Sequence, residues 1–284
     1  ENFKFKKGNW KINKPIKING NLYLENDTNL YFENNTYLIV EGCIIFNNDK
    51  IIKLTSSNKF WNGIYIYNCK TGSTIQNAEF SNMKNLQSGS LNLTGSLNFY
   101  KTNINFNNVK IKNTNSEDAL NIVKSNYDIK NLFIENTLSD GIDIDFANGS
   151  IISSKFKNIG GDALDFSGSI SNIKDIKISE VDDKAISIGE ISNLSMNNIY
   201  IDKAFIGVAI KDGSSSKIDN ILLNNIKQFD IATFQKKKYY KNSETTVTNY
   251  QSNKMKLLNQ TNNFLKVNNK YIKNMKYDIN KLYN

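Results

Sequence analysis

Hydrophobic side chains recur along the middle of the chain in pairs separated by one residue, and each pair follows the last by 22 positions. Alternation of apolar and polar residues with a period of two predicts short β-strands with one buried and one exposed face. We therefore expect the apolar members to point inward and the residues between them to point outward. The pairs are Leu120/Ile122, Ile142/Ile144, Leu164/Phe166, Ile186/Ile188 and Val208/Ile210.

The residue that opens each of these segments recurs with the same spacing. A repeat this short leaves no room for the crossover helices that often join parallel strands. The pattern predicts an all-β fold, a right-handed parallel β-helix (a solenoid) with about 22 residues per coil and strands stacked about 4.8 Å apart. The opening residues, spaced 22, 22, 22, 22 and 24, are Asp118, Asp140, Asp162, Lys184, Ile206 and Asp230.

Two series of short polar residues follow the strands at almost the same spacing. Such residues hydrogen-bond their own backbone, which suits a turn repeated in every coil, and side-chain amides can pair from coil to coil. The series are Asn131, Ser153, Asp175, Asn197 and Asn220, and Asn113, Asn136, Asn158, Glu180, Asp202 and Asn225.

The repeat weakens towards both ends, where a solenoid needs caps. We expect residues 1–20 to form an amino-terminal cap, residues 21–240 the β-helix, and residues 241–284 a last coil and cap with a short helix within 276–283. Residues 82–95 exceed the repeat and should form a projecting loop. Cys43 falls over Cys69 in the alignment of neighbouring coils. This placement fits a disulfide, which would indicate an oxidising compartment, and equally two stacked buried thiols.

The net charge is +9, and all 36 basic residues are lysine. An AT-rich genome accounts for this bias, and so does a polyanionic partner. Without arginine, nucleic acid is a poor candidate. Without histidine, Ser-His-Asp and Cys-His catalysis and the usual zinc sites are excluded. The sequence contains no run of about 18 apolar residues, which is the length that would predict a membrane span.

Three segments resemble the pectin-lyase-like superfamily of right-handed β-helices, and within it the polygalacturonases. They are residues 139–144 (SDGIDI), 182–188 (DDKAISI) and 207–211 (GVAIK), inside a general resemblance over about residues 20–245. The resemblance implies catalytic carboxylates and substrate-binding cations in these segments. Three features depart from the family: there is no Gly-His-Gly, Ala209 replaces an arginine, and two coils rather than one separate Asp140 from Asp183. Lyase branches of the superfamily, which hold Ca²⁺ with stacked acids and use a lysine or arginine base, offer a second comparison.

Stacking of the coils predicts two outward rows of side chains beside the opening column. Like charges about 5 Å apart are costly, so the fold must protonate some carboxylates, bind a cation, or satisfy them with backbone N–H groups. The first row is Asn98, Asn121, Asp143, Asp165, Ser187 and Ala209, and the second is Val123, Asp145, Ser167, Gly189, Lys211 and Gln235.

We assign candidate roles to these residues and keep a structural alternative for each. Because oxygen ligands without histidine or cysteine select Ca²⁺, Asp143, Asp145 and Asp165 are the candidate metal ligands. The aspartates of the opening column could instead cap turns, Lys184 could be an ion-pair partner, and Trp61, Tyr65, Tyr67 and Tyr100 could be an aromatic cover rather than a sugar platform. The candidate catalytic residues are Lys184, Lys211, Asp140, Asp162 and Asp183, and the candidate substrate-binding residues are Lys237, Tyr100, Glu190 and Asp212.

These features predict a carbohydrate-active protein outside the cytoplasm (extracellular, on the cell surface or periplasmic), a monomer or part of a larger chain. Its partner would be an acidic polysaccharide or cell-surface glycan, cleaved by β-elimination or epimerised after a lysine removes the proton beside a uronate carboxylate, with Ca²⁺ stabilising the enolate. One alternative is a glycoside hydrolase that uses paired aspartates. Another is a non-catalytic protein that binds calcium or a glycan.

Overall fold

The computed structural model describes residues 2–56 and 58–283. These residues form a parallel β-solenoid of about 11 turns with coils of about 23 residues, which confirms the predicted right-handed parallel β-helix. In chain order the strands are β1 (Phe3–Phe5), β2 (Gly8–Ile12), β3 (Ile16–Asn19), β4 (Leu22–Leu24), β5 (Thr28–Phe32), β6 (Leu38–Glu41), β7 (Ile44–Thr55), β8 (Ile64–Tyr67), β9 (Ser73–Lys84), β10 (Gln87–Ser88), β11 (Leu91–Asn92), β12 (Gly95–Tyr100), β13 (Ile104–Asn115), β14 (Asp118–Val123), β15 (Asn126–Thr137), β16 (Asp140–Asp145), β17 (Asn148–Ile152), β18 (Lys155–Ile159), β19 (Leu164–Ser167), β20 (Ile170–Gly189), β21 (Asn193–Lys211), β22 (Ser215–Asn224), β23 (Phe229–Phe234), β24 (Glu244–Ser252), β25 (Leu257–Asn259), β26 (Phe264–Val267) and β27 (Lys270–Tyr271).

The strands stack into three parallel ladders, because every coil passes through the same three directions. The first ladder carries the predicted outward rows and runs β3, β6, β8, β12, β14, β16, β19, the end of β20, the end of β21, β23 and β25. The other two ladders are built from most of the remaining strands and from the earlier parts of β20 and β21, and strands such as β13 and β15 run from the second ladder into the third.

The interior is a continuous column of apolar side chains. Both members of every predicted inward pair, from Leu120/Ile122 to Val208/Ile210, are fully buried. A second buried stack lies under the turn that follows the first ladder, where a hydroxyl of one coil accepts the backbone N–H of the coil before it. Ser125 accepts from Thr102 (2.9 Å), Ser169 from Ala147 (3.1 Å), Ser192 from Ser169 (3.0 Å) and Ser214 from Ser192 (3.2 Å).

The polar turn residues adopt the left-handed backbone conformation that asparagine tolerates better than most residues. Their amides also pair between coils, for example Asn136 with Asn113 (3.1 Å) and Asn158 with Asn136 (2.8 Å). Two members of the predicted series are wrong by one residue. The left-handed residues are Asn198 and Lys203, not Asn197 and Asp202, because the step from Ile170 to Asn193 is 23 residues long.

The first ladder also departs from the predicted register at its carboxyl-terminal end. Phe229 pairs with Ile206 and Phe234 with Lys211, so neither Asp230 nor Gln235 occupies the position that the 24-residue spacing predicted. Asp230 is instead a buried cap. One of its oxygens accepts hydrogen bonds from the Tyr250 hydroxyl (2.6 Å), the Ser252 hydroxyl (2.8 Å) and the Lys256 N–H (3.0 Å).

Cys43 and Cys69 form a disulfide between neighbouring coils, with Cα atoms 4.7 Å apart. Of the two alternatives that the alignment left open, the structure therefore has the bridge rather than two free thiols.

Residues 3–19, within the predicted amino-terminal cap, form three strands that pair in parallel with β4, β5 and β6 and so belong to the ladders. Residues 82–84 still belong to β9, and the projecting part is the small hairpin β10–β11. A short 3₁₀ helix, Ile279–Leu282, lies within the segment predicted to be helical. Among the described residues, no helix is long and apolar enough to cross a membrane.

Candidate functional site

The predicted outward row exists and lies on the first ladder. Its members pair in the expected order, Asn98 with Asn121, Asn121 with Asp143, Asp143 with Asp165 and Asp165 with Ser187. The neighbouring row places Asp145 beside Ser167 and Val123. We call the part of this ladder between Asp118 and Ser167 the acidic face.

The aspartates of the opening column satisfy backbone groups of the next coil. Asp140 accepts the N–H of Asp162 (2.8 Å), and Asp162 accepts the N–H of Lys184 (2.9 Å). These contacts fit the predicted alternative of a turn cap. Asp118 makes a different contact, with the side-chain amide of Asn121 (3.1 Å). Burial is the main cause that raises the pKa of Asp118 and Asp140 to about 6 each.

Asp143 and Asp165 are adjacent on the outward row but differ in surroundings. Burial, reinforced by the charges of Asp118, Asp145 and Asp165, raises the pKa of Asp143 to about 9, so this carboxyl is protonated at neutral pH. Its only hydrogen bond among the described residues comes from the Asn121 amide (3.2 Å). Asp165 instead lies 3.7 Å from the Lys211 ammonium, and the oxygen that faces this ammonium accepts no hydrogen bond from any described residue. The pair thus combines a neutral carboxyl with a carboxylate held beside a cation.

Lys184 is an ion-pair partner of the opening column. Its side chain is 3% exposed, and its ammonium lies 3.3 Å from Asp162 and 2.5 Å from Asp183. Burial disfavours the charged ammonium, but Asp162 and Asp183 outweigh burial and raise the pKa of Lys184. On the acid side, burial raises the pKa of Asp162 to about 7 despite the opposing charge of Lys184.

Lys211, Glu190, Lys237 and Asp212 lie together beyond the acidic face. The Lys211 ammonium contacts the Ser187 hydroxyl (2.5 Å). Glu190 accepts from Lys237 (2.5 Å) and from Ser167 (2.7 Å), and these bonds lower its pKa although burial opposes them. Asp212 is fully buried and accepts the backbone N–H groups of residues 236 and 237, which fixes the turn that carries both lysines.

The predicted aromatic row divides into a core residue and a surface group. Trp61 is fully buried and stacks on Phe32, with ring centroids 3.8 Å apart, so it belongs to the interior. Tyr65 and Tyr67 stack on each other (4.9 Å), and Tyr100 pairs with Tyr67 in the next strand of the first ladder. Tyr100 lies two coils before Asp145 in the same row.

Tyr283 borders the site, and nothing in the sequence indicated this. Its ring lies 5.0 Å from the Lys184 ammonium and 4.1 Å from the Lys236 ammonium. Tyr283 carries no repeat signal because it lies in the aperiodic last segment. Lys236 belongs to the run of three lysines at residues 236–238, which the sequence suggests as one end of the cleft.

The carboxylates of the acidic face do not gather into a metal site. Among the described residues, no group of three or more histidine, cysteine, aspartate or glutamate side chains is arranged to hold a metal ion. An amide neighbours Asp143 and an ammonium neighbours Asp165, and both are donors that compete with a cation. Calcium at Asp143, Asp145 and Asp165 stays a prediction.

Comparison with known proteins identifies the fold. The chain matches no family model and no curated protein. Among solved structures it is similar to the Agl-KA catalytic domain (TM-score 0.52, 13% identity) and to the catalytic domain of a GH87 α-1,3-glucanase in complex with nigerose (TM-score 0.51, 13% identity). Each match covers 93% of this chain and 62% or 63% of the other, so the chain spans under two thirds of either neighbour. At this identity the likeness shows the fold alone, a parallel β-helix.

Proposed function

We propose that this protein is a carbohydrate-active enzyme that hydrolyses glycosidic bonds of an acidic polysaccharide, with Asp143 as the general acid and Asp165 as its carboxylate partner. The observation that carries the proposal is the adjacent pair itself: Asp143 lies beside Asp165 on the outward row, burial raises the pKa of Asp143 to about 9, and Asp165 lies 3.7 Å from the Lys211 ammonium two coils further on. Glycoside hydrolysis needs one carboxylic acid and one carboxylate beside the scissile bond. One structural neighbour is the catalytic domain of a GH87 α-1,3-glucanase, which supports a β-helix as a scaffold for this chemistry.

The reaction follows from these two charge states. The Asp143 carboxyl donates its proton to the glycosidic oxygen while the bond from this oxygen to the anomeric carbon breaks. The Asp165 carboxylate bonds to the anomeric carbon. The Asp143 carboxylate then removes a proton from water, and this water displaces Asp165. Strands in adjacent coils are about 4.8 Å apart, which favours the carboxyl separation of about 5–5.5 Å typical of retaining enzymes over the wider separation of inverting ones.

The lysine base of the predicted elimination is less well supported. A general base must be deprotonated at the working pH, but Asp162 and Asp183 hold the Lys184 ammonium charged and buried. Lys211 contacts Ser187 and Asp165, and both contacts suit an ammonium that stabilises a carboxylate. Lysine in this site therefore serves charge balance and binding, while elimination or epimerisation stays a prediction for the assay below.

The substrate class and the location rest on charge and on the disulfide. Lys211, Lys236 and Lys237 lie at one end of the acidic face, and a net charge of +9 attracts polyanions. The bridge between Cys43 and Cys69 supports maturation in an oxidising compartment, and hence a protein that works outside the cytoplasm.

A screen on uronate-containing polysaccharides tests the proposal. New reducing ends without ultraviolet absorbance are expected, and both Asp143→Asn and Asp165→Asn should abolish them. Asp128→Asn is the matched control, because Asp128 lies on another ladder with its side chain 45% exposed. Unsaturated products that absorb in the ultraviolet would instead establish the lyase. Glycan binding without turnover on any substrate would establish the non-catalytic alternative and contradict the proposal.

A further inference from the structure

The last described segment of the chain covers the outward row beyond the acidic face. Leu282 is 2% exposed and packs in one apolar cluster with Ala209, Ala232 and Phe234. Ala209 and Ala232 continue the outward row that holds Asp165 and Ser187. The row therefore changes from acidic to small and apolar at the point where another part of the chain lies over it.

Tyr283 stands at the boundary between the covered and the open part of this row. Its side chain is 38% exposed, its ring meets Phe234 edge to face (6.4 Å), and the ammonium groups of Lys184 and Lys236 both lie against the ring. Burial, followed by the charges of Asp162 and Asp212, raises the pKa of Tyr283. The open face consequently ends at this ring.

Lys236 differs from the other lysines at this boundary. Lys184, Lys211 and Lys237 each have a carboxylate within 4 Å, whereas Lys236 has none among the described residues, and its ammonium lies 4.1 Å from the Tyr283 ring. Lys236 is exposed, and its backbone is fixed by the buried Asp212. Burial and the charges of Lys211, Lys184 and Lys237 lower its pKa, although the charge of Glu190 opposes them. An exposed ammonium among other cations, held in place and with no described carboxylate in direct contact, is suited to bind an anion.

We propose that Lys236 and Tyr283 form a terminal subsite that binds the carboxylate of the last sugar in an acidic glycan chain. Lys236 pairs with this carboxylate, and Tyr283 blocks the path along the ladder. The glycan therefore enters with one of its ends, and short products leave. The inference rests on the proposed function and extends it, because a face that is closed at one end selects chain ends over internal bonds.

Kinetics on a defined uronate oligosaccharide, and on its counterpart with carboxyl groups reduced to hydroxymethyl groups, test the role of Lys236. Lys236→Met should raise KM about tenfold or more on the acidic substrate, with kcat nearly unchanged and no effect on the neutral one. Lys236→Arg should restore most of the affinity. Lys238→Met, in the same turn, is the matched control. Equal KM values for Lys236→Met and Lys238→Met would overturn the assignment.

The products of polymer digestion test the role of Tyr283. The wild type should release short products from the beginning, and Tyr283→Ala should add fragments of intermediate length, whereas Tyr239→Ala, which alters a tyrosine 78% exposed, should not. A wild type that cuts internally from the start would contradict the closed end. If no glycan is turned over, the proposed function is wrong but the subsite can still be tested by calorimetric binding of a uronate oligosaccharide. Loss of affinity in Lys236→Met supports the subsite. Unchanged affinity overturns it.

Discussion

The first ladder has two regions that share the same strand backbone but accommodate stacked carboxyl groups in different ways. In the acidic face, around Asp143, carboxyl groups crowd together, and burial raises the pKa of Asp143 to about 9 and those of Asp118 and Asp140 to about 6. From Lys184 onward, ammonium groups accompany the carboxylates, and the outward row shrinks to serine and alanine under the last segment of the chain. The strand register is common to both regions, so the side chains alone create the difference. Asp165 lies at the junction and belongs to both.

The largest expected effect on stability comes from breaking the ion pair of the second region. Lys184→Met leaves Asp162 buried without its cation, which should lower the free energy of unfolding by about 3–5 kcal/mol. Lys203→Met is the matched control, because Lys203 and Glu180 are exposed partners and their loss should cost under about 1 kcal/mol. Chemical denaturation of both variants measures the difference. Equal losses of unfolding free energy would contradict the claim that the buried pair contributes more to stability than the exposed one.

A smaller effect of opposite sign is expected in the acidic face. The pKa of Asp143 is raised from about 4 in the unfolded chain to about 9, so between these values the folded state binds more protons, and stability falls as pH rises. Asp143→Asn removes this loss. The variant should match the wild type near pH 4 and exceed it by about 2–3 kcal/mol at pH 6, because each pH unit above the unfolded pKa contributes about 1.4 kcal/mol. Thermal unfolding across this pH range provides the measurement, and a variant less stable than the wild type at pH 6 would contradict the account.

The smallest effect concerns the hydroxyl that steadies Lys211. Ser187→Ala removes the bond to the Lys211 ammonium and should cost about 1 kcal/mol. Because Lys211 then has only Asp165 as a partner, the pH dependence of activity should also shift, whereas Ser195→Ala on another ladder should leave it unchanged. A loss of stability without any shift in the pH profile of activity would mean that Ser187 contributes to packing but does not act through Lys211.

Most of the fold follows from the sequence because it is periodic. Apolar pairs at constant spacing fix the inward positions, and the same register correctly places Asp143 beside Asp165. The predicted positions are wrong where the spacing of the repeat changes. One longer coil shifts the left-handed turn residue from Asn197 to Asn198, and Asp230 lies one residue away from its predicted column. Tyr283 is brought to the site by a contact between distant parts of the chain, which no repeat encodes.

The chemistry of individual residues was harder to predict than their position. Lys184 was correctly placed in the opening column, but its two carboxylate partners and near-complete burial, which argue against a basic role, depend on side-chain packing. Likewise, the sequence showed that stacked aspartates need neutralisation but not by which means. The structure uses backbone N–H groups for Asp140 and Asp162, protonation for Asp143 and an ion pair for Asp165.

The protonation state of Asp143 tests the central claim most directly. Carbon-13 NMR of the protein labelled at aspartate carboxyl carbons, with Asp143→Asn to assign the resonance, follows this group through a pH titration. The account predicts a carboxyl that stays protonated through neutral pH and titrates near 9. Titration of Asp143 near 4 would leave the acidic face without its general acid and would contradict the proposed mechanism.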